Sequence, residues 1–255
     1  QRIHSLDAFG GASFSLVVNV LVFVATLLFG EVVTRLWKRH PIASPPLPVS
    51  RTEVALAASC VVLNSVVMFV GWLLFRVDVV RVDPTESWLR WLVDALVLVA
   101  VMDFAMYVTH RLAHHPIAFR YVHGIHHRYD AVRPLTLFVL HPIEVLGFGG
   151  LWIGVLCMHS FSLGGMMLYL TINTTFGVIG HVGVEPLPRR WVSMPVLKLI
   201  GTSTFHARHH QTPTSNFGFY TSIWDGLFRS LDPSYRPRFR ELPISAEAEP
   251  RPERD

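Results

Sequence analysis

Apolar residues in this chain come in long, nearly unbroken blocks. A spanning helix needs about 20 mostly apolar residues to cross about 30 Å of hydrocarbon. Three stretches meet this cleanly, at about Phe14 to Leu36, Glu53 to Phe75 and Trp88 to Leu112. Two more run from about Leu135 to Met158 and from about Phe161 to Val182. Ser160 to Gly165 joins this last pair, which predicts a tight helical hairpin that either crosses twice or re-enters. Gly147, Gly149, Gly150, Gly154, Gly164 and Gly165 lie in it, and small residues let membrane helices approach closely. Pro41 to Pro48 reads as a loop. The first apolar run is too long for a signal peptide and has no small-residue cleavage site. The chain begins at Gln1, so an initiator segment is expected upstream. The fold predicted is an all-α integral membrane protein with four to five transmembrane helices. Residues 1–87 form an N-terminal region with two spans, and residues 88–235 hold the chemistry. Residues 236–255 form a polar tail expected to be disordered, most clearly from Glu247 to Asp255.

Composition supports this class. Of 255 residues, 51% are hydrophobic and 16% charged, against roughly 25% charged in a soluble domain. Mean hydropathy is +0.40. Cys60 and Cys157 sit in apolar stretches and make neither a disulfide framework nor a zinc ribbon. A pI near 9.4 raises the question of nucleic acid. That reading is rejected, because the basic residues flank apolar spans and form no patch with interleaved aromatics. Placing the loop after the first span, the segment after the third and the stretch from Arg189 onward on one side collects 18 of the 22 basic residues there. By the positive-inside rule that side is cytoplasmic. Trp88 and Trp91 then lie at the far interface. Arginine outnumbers lysine 20 to 2, which suggests a GC-rich bacterial genome and hence a bacterial inner membrane.

The 14 histidines are almost as numerous as the 18 acidic residues. Asp103, Tyr107, His110 and His114 are spaced 4, 3 and 4 apart, which stacks them on one helix face. Polar residues inside a span are costly and usually mark function. Two H-x-x-H-H repeats follow, His123, His126 and His127 and then His206, His209 and His210. Residues i, i+3 and i+4 point the same way on a helical turn. The hairpin between the repeats leaves and returns on one side, so all three groups meet at the predicted cytoplasmic face. His141 and His181 lie near that face too. A single histidine pair is more often a hydrogen-bonded pair than a metal site, but two repeats and a pair on one side are poorly explained by coincidence. Eight crowded imidazoles cannot all be protonated, and neutral imidazole is the commonest metal-binding side chain. They are too many for one four-coordinate zinc. Few carboxylates accompany them, so the pattern is not a carboxylate-bridged bundle site. H-E-x-x-H is absent. Imidazole suits iron, zinc and copper, so ligand type does not choose the metal. His4, His40, His115 and His159 read as bystanders.

These motifs resemble the fatty acid hydroxylase superfamily, also called the sterol desaturase family. The matching residues are Asp103, Tyr107, HRLAH (His110 to His114), HGIHH (His123 to His127) and HPIE (His141 to Glu144). FHARHH (Phe205 to His210), NFG (Asn216 to Gly218) and WDGLF (Trp224 to Phe228) complete the set, and the likeness covers about residues 90 to 235. Family members often follow the last motif with Gly-Thr, where this chain has Arg229 and Ser230.

The resemblance implies two non-haem iron ions held by His110, His114, His123, His126, His127, His206, His209 and His210, with His181 as a further ligand. It places His141 near the centre rather than on it. It implies O2-dependent hydroxylation, or related desaturation, of a lipid C–H bond, be it sterol or fatty acyl. It also implies an external electron donor, a reductase or small redox protein. Residues 88–235 would be the di-iron hydroxylase region. Asp103 and Tyr107 are expected to steady ligand histidines, since a carboxylate accepting the outer N–H fixes the tautomer. Asn216 is a candidate donor beside the site or a turn residue. The substrate is expected to enter from the bilayer. Competing readings are a haem protein with histidine axial ligands, a zinc-dependent membrane hydrolase and a non-enzymatic metal carrier.

Overall fold

A computed structural model describes residues 6–241. Three long helices open the chain: α1 (Ala8–Leu36), α2 (Arg51–Arg76) and α3 (Trp88–Ala113). Each starts at a side-chain cap that accepts an otherwise orphaned backbone N–H, from Asp7, Ser50 and Ser87 respectively. Ser50 and Glu53 form a reciprocal capping box. A turn, α4 (Pro116–Ala118), continues through a π turn (Phe119–His123) into α5 (Gly124–His127). Then come α6 (Pro142–Met158), α7 (Leu163–Gly180), α8 (Ser203–Gln211), α9 (Ile223–Leu227) and α10 (Tyr235–Glu241).

By length and composition, α1, α2, α3 and α7 can cross a membrane. The segment predicted from Leu135 to Met158 is not one helix. It breaks into a 3-10 turn at Pro134–Phe138 and α6, whose 17 residues rise about 26 Å. The cause is Pro142. It lacks an N–H and drives His141 to extended ψ 143°. The hairpin is as tight as predicted, with α6 and α7 separated by four residues. Asp94 of α3 clasps that turn, accepting from the backbone N–H and the hydroxyl of Ser162, each at 2.7 Å.

Gly164 and Gly165 permit the closest approach in the bundle. A β-carbon on Gly165 would sit 2.5 Å from that of Asp94. Gly149 is likewise filled by Val67, whereas Gly147, Gly150 and Gly154 face open space. The main core lies between α3, α6 and α7, around Leu98, Met102, Val155, Met166 and Tyr169, with Tyr220 reaching in from the C-terminal segment.

The loops sort to two ends. Val82–Asp83 (β1) pairs in parallel with Phe161–Ser162 (β2), joining the α2–α3 and α6–α7 connections at one end. At the other end Pro41 bridges Val184, and Arg133 pairs with Glu53. The segments after α1, α3 and α7 therefore share the end that carries the histidine motifs. The tail expected from residue 236 is helical at its start. In α10, Tyr235 and Phe239 are fully buried against Val192 and Phe205. Residues 242–255, including Glu247 to Asp255, lie outside the described residues.

Candidate metal centre

The nine expected histidines converge into two adjacent groups. His110, His114, His123, His127 and His209 form one; His126, His181, His206 and His210 form the other. Within each group the ligand atoms all lie within 4.8 Å of one another. Each H-x-x-H-H repeat is split between the groups, so that neighbours His126 and His127, or His209 and His210, serve different sides. His127 and His210 stack across the divide, with ring centroids 4.6 Å apart. His40 and His159 belong to neither group, and neither does His115. His4 lies outside the described residues.

Outer-ring partners decide what the inner nitrogens can do. The Nδ1 of His110 lies 2.8 Å from the Phe217 carbonyl, that of His126 3.2 Å from the Val139 carbonyl, and that of His181 2.8 Å from the Gly177 carbonyl. That of His209 lies 2.7 Å from the Ser215 carbonyl. A carbonyl can only accept, so each of these Nδ1 atoms carries the proton and each Nε2 is a bare lone pair. His123 donates its Nδ1–H to Glu144 Oε1 at 2.6 Å, with both side chains buried. Yet Nε2 of His110 faces Nε2 of His123 at 3.2 Å, and Nε2 of His126 faces that of His181 at 3.3 Å. Lone pair against lone pair is repulsive and is not a hydrogen bond. A cation between them turns each contact into a shared ligand shell. Among the described residues, the Nδ1 atoms of His127 and His210 are buried without a partner.

Burial keeps the loop imidazoles neutral. It is the largest influence at His126, held down to about 4, with neighbouring His181 next. Burial and the adjacent imidazoles push His123, His127, His206, His209 and His210 well below the ordinary histidine range. Neutral imidazole is the form that binds metal. The donor set fits metal ions, and its five-member group exceeds the four ligands that close a structural zinc.

The residues expected to steady histidines are placed differently. Asp103 touches no histidine. It accepts from the backbone of Tyr220 and Thr221, from the Thr221 hydroxyl at 2.6 Å and from Trp224 Nε1 at 3.0 Å. It lies ten residues, about 15 Å, inside the Ala113 end of α3, so it draws the segment 217–228 deep along the helix. Buried donors with no water available select this carboxylate. Tyr107 bonds Ser230 Oγ at 3.0 Å and receives Arg111 Nη1 at 2.8 Å, again with no histidine.

The steadying carboxylate is instead Glu144 of the HPIE motif, a role the sequence does not assign to it. Its other oxygen accepts from the His141 backbone N–H, the N-cap of α6. His141 thus acts as a helix cap, its Nδ1 accepting from Ile143 N. The signal available was Pro at the first helical position with Glu two residues on. Glu185 is a second buried carboxylate near the four-histidine group's helix α8. It accepts from the backbone and hydroxyl of Thr204 at the start of α8, and burial pushes it up to about 7.

Asn216 sits between the two carbonyls that receive His209 and His110. Its φ of 59° is left-handed, which asparagine tolerates better than most residues. Its amide ties Phe205 O and Asp232 N, so the loop is fixed from both sides. Asp225 of the WDGLF motif accepts from Phe217 N and Gly218 N. Arg229 stands at φ 57°, the conformation that suits glycine, and the Ser230 hydroxyl reaches Asp225 Oδ1 at 2.7 Å. The departure at 229–230 therefore bears on the segment that holds Phe217.

Comparison with known proteins agrees with this arrangement. The fatty acid hydroxylase family matches residues 95–230, from mid-α3 to Ser230. The C-4 methylsterol oxidase erg25 of Schizosaccharomyces pombe is 29% identical over 148 residues, 56% of this chain and 48% of that protein. A CER1-like protein of Arabidopsis thaliana is 30% identical over 166 residues, 60% of this chain and 27% of that protein. A methylsterol monooxygenase of Arabidopsis thaliana is 28% identical over 178 residues, 68% of this chain and 65% of its own length. The chain spans about half or less of the first two. No solved structure matches it. With more than half its length matched, all the histidine motifs within the match, and apolar helices around them, the chain belongs to the fatty acid hydroxylase family.

Proposed function

We propose that this chain is a membrane oxygenase that uses O2, two non-haem iron ions and two electrons from a separate reductase or small redox protein. It hydroxylates, or desaturates, an unactivated C–H bond of a lipid, either a sterol or a fatty acyl chain. The observation that carries this is the bare Nε2 lone pairs that face one another in both groups, His110 against His123 at 3.2 Å and His126 against His181 at 3.3 Å. A haem would take two axial imidazoles on opposite faces, and these converge instead in fives and fours. Two of the relatives are named as a methylsterol oxidase and a methylsterol monooxygenase.

The five-member group would hold one ion and the four-member group the other. Bound iron with O2 would supply the oxidising power that breaks the C–H bond. The chain's own residues do the rest. Glu144 and the carbonyls of Phe217, Val139, Ser215 and Gly177 lock five imidazoles in one tautomer. Phe119 and Phe217 pack on His114 at 5.1 and 5.0 Å and give that imidazole apolar walls. Placed by its charge, the histidine end faces the cytoplasm of a bacterial inner membrane.

Metal analysis of protein from iron-supplemented cells tests the reading. About two irons per chain are expected, with roughly one lost in His126→Ala and one in His209→Ala. Lipid products should stop accumulating under anaerobic conditions. Haem iron alone, no metal, or products that form without O2 would sink the proposal.

A further inference from the structure

The two histidine groups take their supports from different parts of the chain. The five-histidine group leans on Phe217 and Ser215 of the C-terminal segment and on Glu144 of α6. The four-histidine group leans on the carbonyls of Val139 and Gly177, which receive His126 and His181. Both carbonyls lie in segments packed against α1 and α2, which precede the stretch matched by the family.

Three residues of these helices carry the packing. Gly30 of α1 makes room for Pro134 and Val178 at once. A β-carbon there would stand 2.6 Å from Cβ and Cγ of Pro134 and 3.2 Å from Cγ1 of Val178. Pro134 opens the turn that leads to Val139, and Val178 follows Gly177. Thr34, one helical turn on from Gly30, donates to the Val182 carbonyl at 3.0 Å, next to His181. Glu53 at the start of α2 is buried and receives Arg133 Nε at 3.1 Å. Thr136 passes that anchor along the turn. Its hydroxyl bonds the N–H and the carbonyl of Arg133, and its own carbonyl receives Val139 N. His206 and His210 trace back the same way. In the α1–α2 connection the His40 carbonyl receives Glu185 N at 2.9 Å. The Glu185 carboxylate in turn receives Thr204 N at 2.8 Å, at the start of the helix that bears both histidines.

We propose that α1 and α2 are a positioning element for the ion of the four-histidine group. Gly30, Thr34 and Glu53 set the Val139 and Gly177 carbonyls, and those carbonyls fix the tautomer and direction of His126 and His181. Among the described residues neither helix supplies a ligand; both act through the backbone they hold. A close-packed interior transmits a displacement rather than absorbing it. An alanine methyl at Gly30 has to move Pro134 by about 1 Å to reach ordinary carbon contact. Ligand distances tolerate only about 0.2 Å, so the four-histidine ion is weakened while the other keeps its supports. This deepens the two-ion part of the oxygenase reading and rests on it.

The test is anaerobic titration of the metal-free full chain in nanodiscs with cobalt(II), followed by visible absorption and equilibrium dialysis. The parent should bind two equivalents. Gly30→Ala should weaken one equivalent about 10–100-fold, as loss of an outer support does, and leave the other unchanged. Alanine favours the helix itself, so a frayed α1 is not the cause. Combination with ligand variants identifies the ion. On His209→Ala, Gly30→Ala should keep its full effect; on His126→Ala it should have none. Thr34→Val should weaken the same equivalent about fivefold, the worth of one neutral hydrogen bond, and Thr34→Ser should restore it. Equal weakening of both equivalents, an effect that persists on His126→Ala, or parent-like binding by both Gly30→Ala and Thr34→Val would overturn the proposal. The asymmetric pattern in a protein whose product forms without O2 would sink the oxygenase reading and leave the positioning role standing. Symmetric weakening with O2-dependent product would do the opposite, and a parent that binds one equivalent would overturn both.

Discussion

Replacing Glu144 with glutamine tests how the two histidine groups are held. Glu144 serves two donors at once, the His123 Nδ1–H at 2.6 Å and the His141 backbone N–H at 3.3 Å. A glutamine in the same place has one oxygen and one NH2, so one of the two donors meets a donor. A buried donor left unsatisfied costs about 1–3 kcal/mol. His123 also loses the carboxylate that raises its basicity, and loss of such a partner lowers metal affinity about 10–100-fold. His123 belongs to the five-member group, and no Nδ1 in the four-member group touches Glu144. The expected result is therefore asymmetric. When metal content is followed against rising chelator, Glu144→Gln should release about one equivalent at a 10–100-fold lower chelator activity. The second equivalent should leave as in the parent. Glu31→Gln, at an exposed carboxylate of α1 paired with Arg35 and touching no histidine, is the control and should leave both steps in place. Equal weakening of both equivalents, or a parent-like curve in Glu144→Gln, would refute the assignment of Glu144 as the carboxylate that positions His123.

Three further outcomes are expected. Arg229→Gly relieves a left-handed φ of 57° and should stabilise by about 1 kcal/mol, a rise of roughly 2–4 °C in Tm; a lower Tm would show that the Arg229 side chain matters more than its backbone. Asn216→Ala removes two buried hydrogen bonds at a left-handed position. It should cost about 2–4 kcal/mol, loosening the Ser215 and Phe217 carbonyls and thus the five-histidine group first; denaturant or thermal melts with metal analysis check both. Metal-free protein should weaken as pH falls below about 6.5. Unfolded imidazole takes up a proton there while folded His126 stays neutral to about 4, so between those values the unfolded state binds more protons and stability drops with acid. For His126 alone the loss reaches about 3 kcal/mol by pH 4. Glu185, pushed up to about 7, acts in the opposite sense, but it is one group against several buried imidazoles. A melting temperature that is flat or rising from pH 7 to 5 would contradict this balance.

Much of the molecule is legible in the chain itself, because the relevant forces are local or periodic. Twenty apolar residues in a row have no soluble alternative, so α1, α2 and α3 are set by composition. Histidines at i, i+3 and i+4 share a helical turn whatever surrounds them, so their convergence follows once a hairpin returns the chain to one end. Local signals also mark the break in the fourth apolar stretch. Pro142 and Glu144 announce a helix start that splits the stretch from Leu135 to Met158. Tertiary structure alone decided the pairing of carboxylates with donors. Asp103 stands on the same face as His110, yet it is claimed by Tyr220, Thr221 and Trp224, more than a hundred residues away. Glu144, 21 residues from His123, takes the role instead. The division of each H-x-x-H-H between two groups is likewise invisible in sequence, because the three imidazoles point to one side of a turn but the partner helices arrive from both flanks. A buried acceptor goes to whichever unsatisfied donors the packed chain brings within 3 Å, and that proximity is a property of the assembled bundle, not of spacing along the chain.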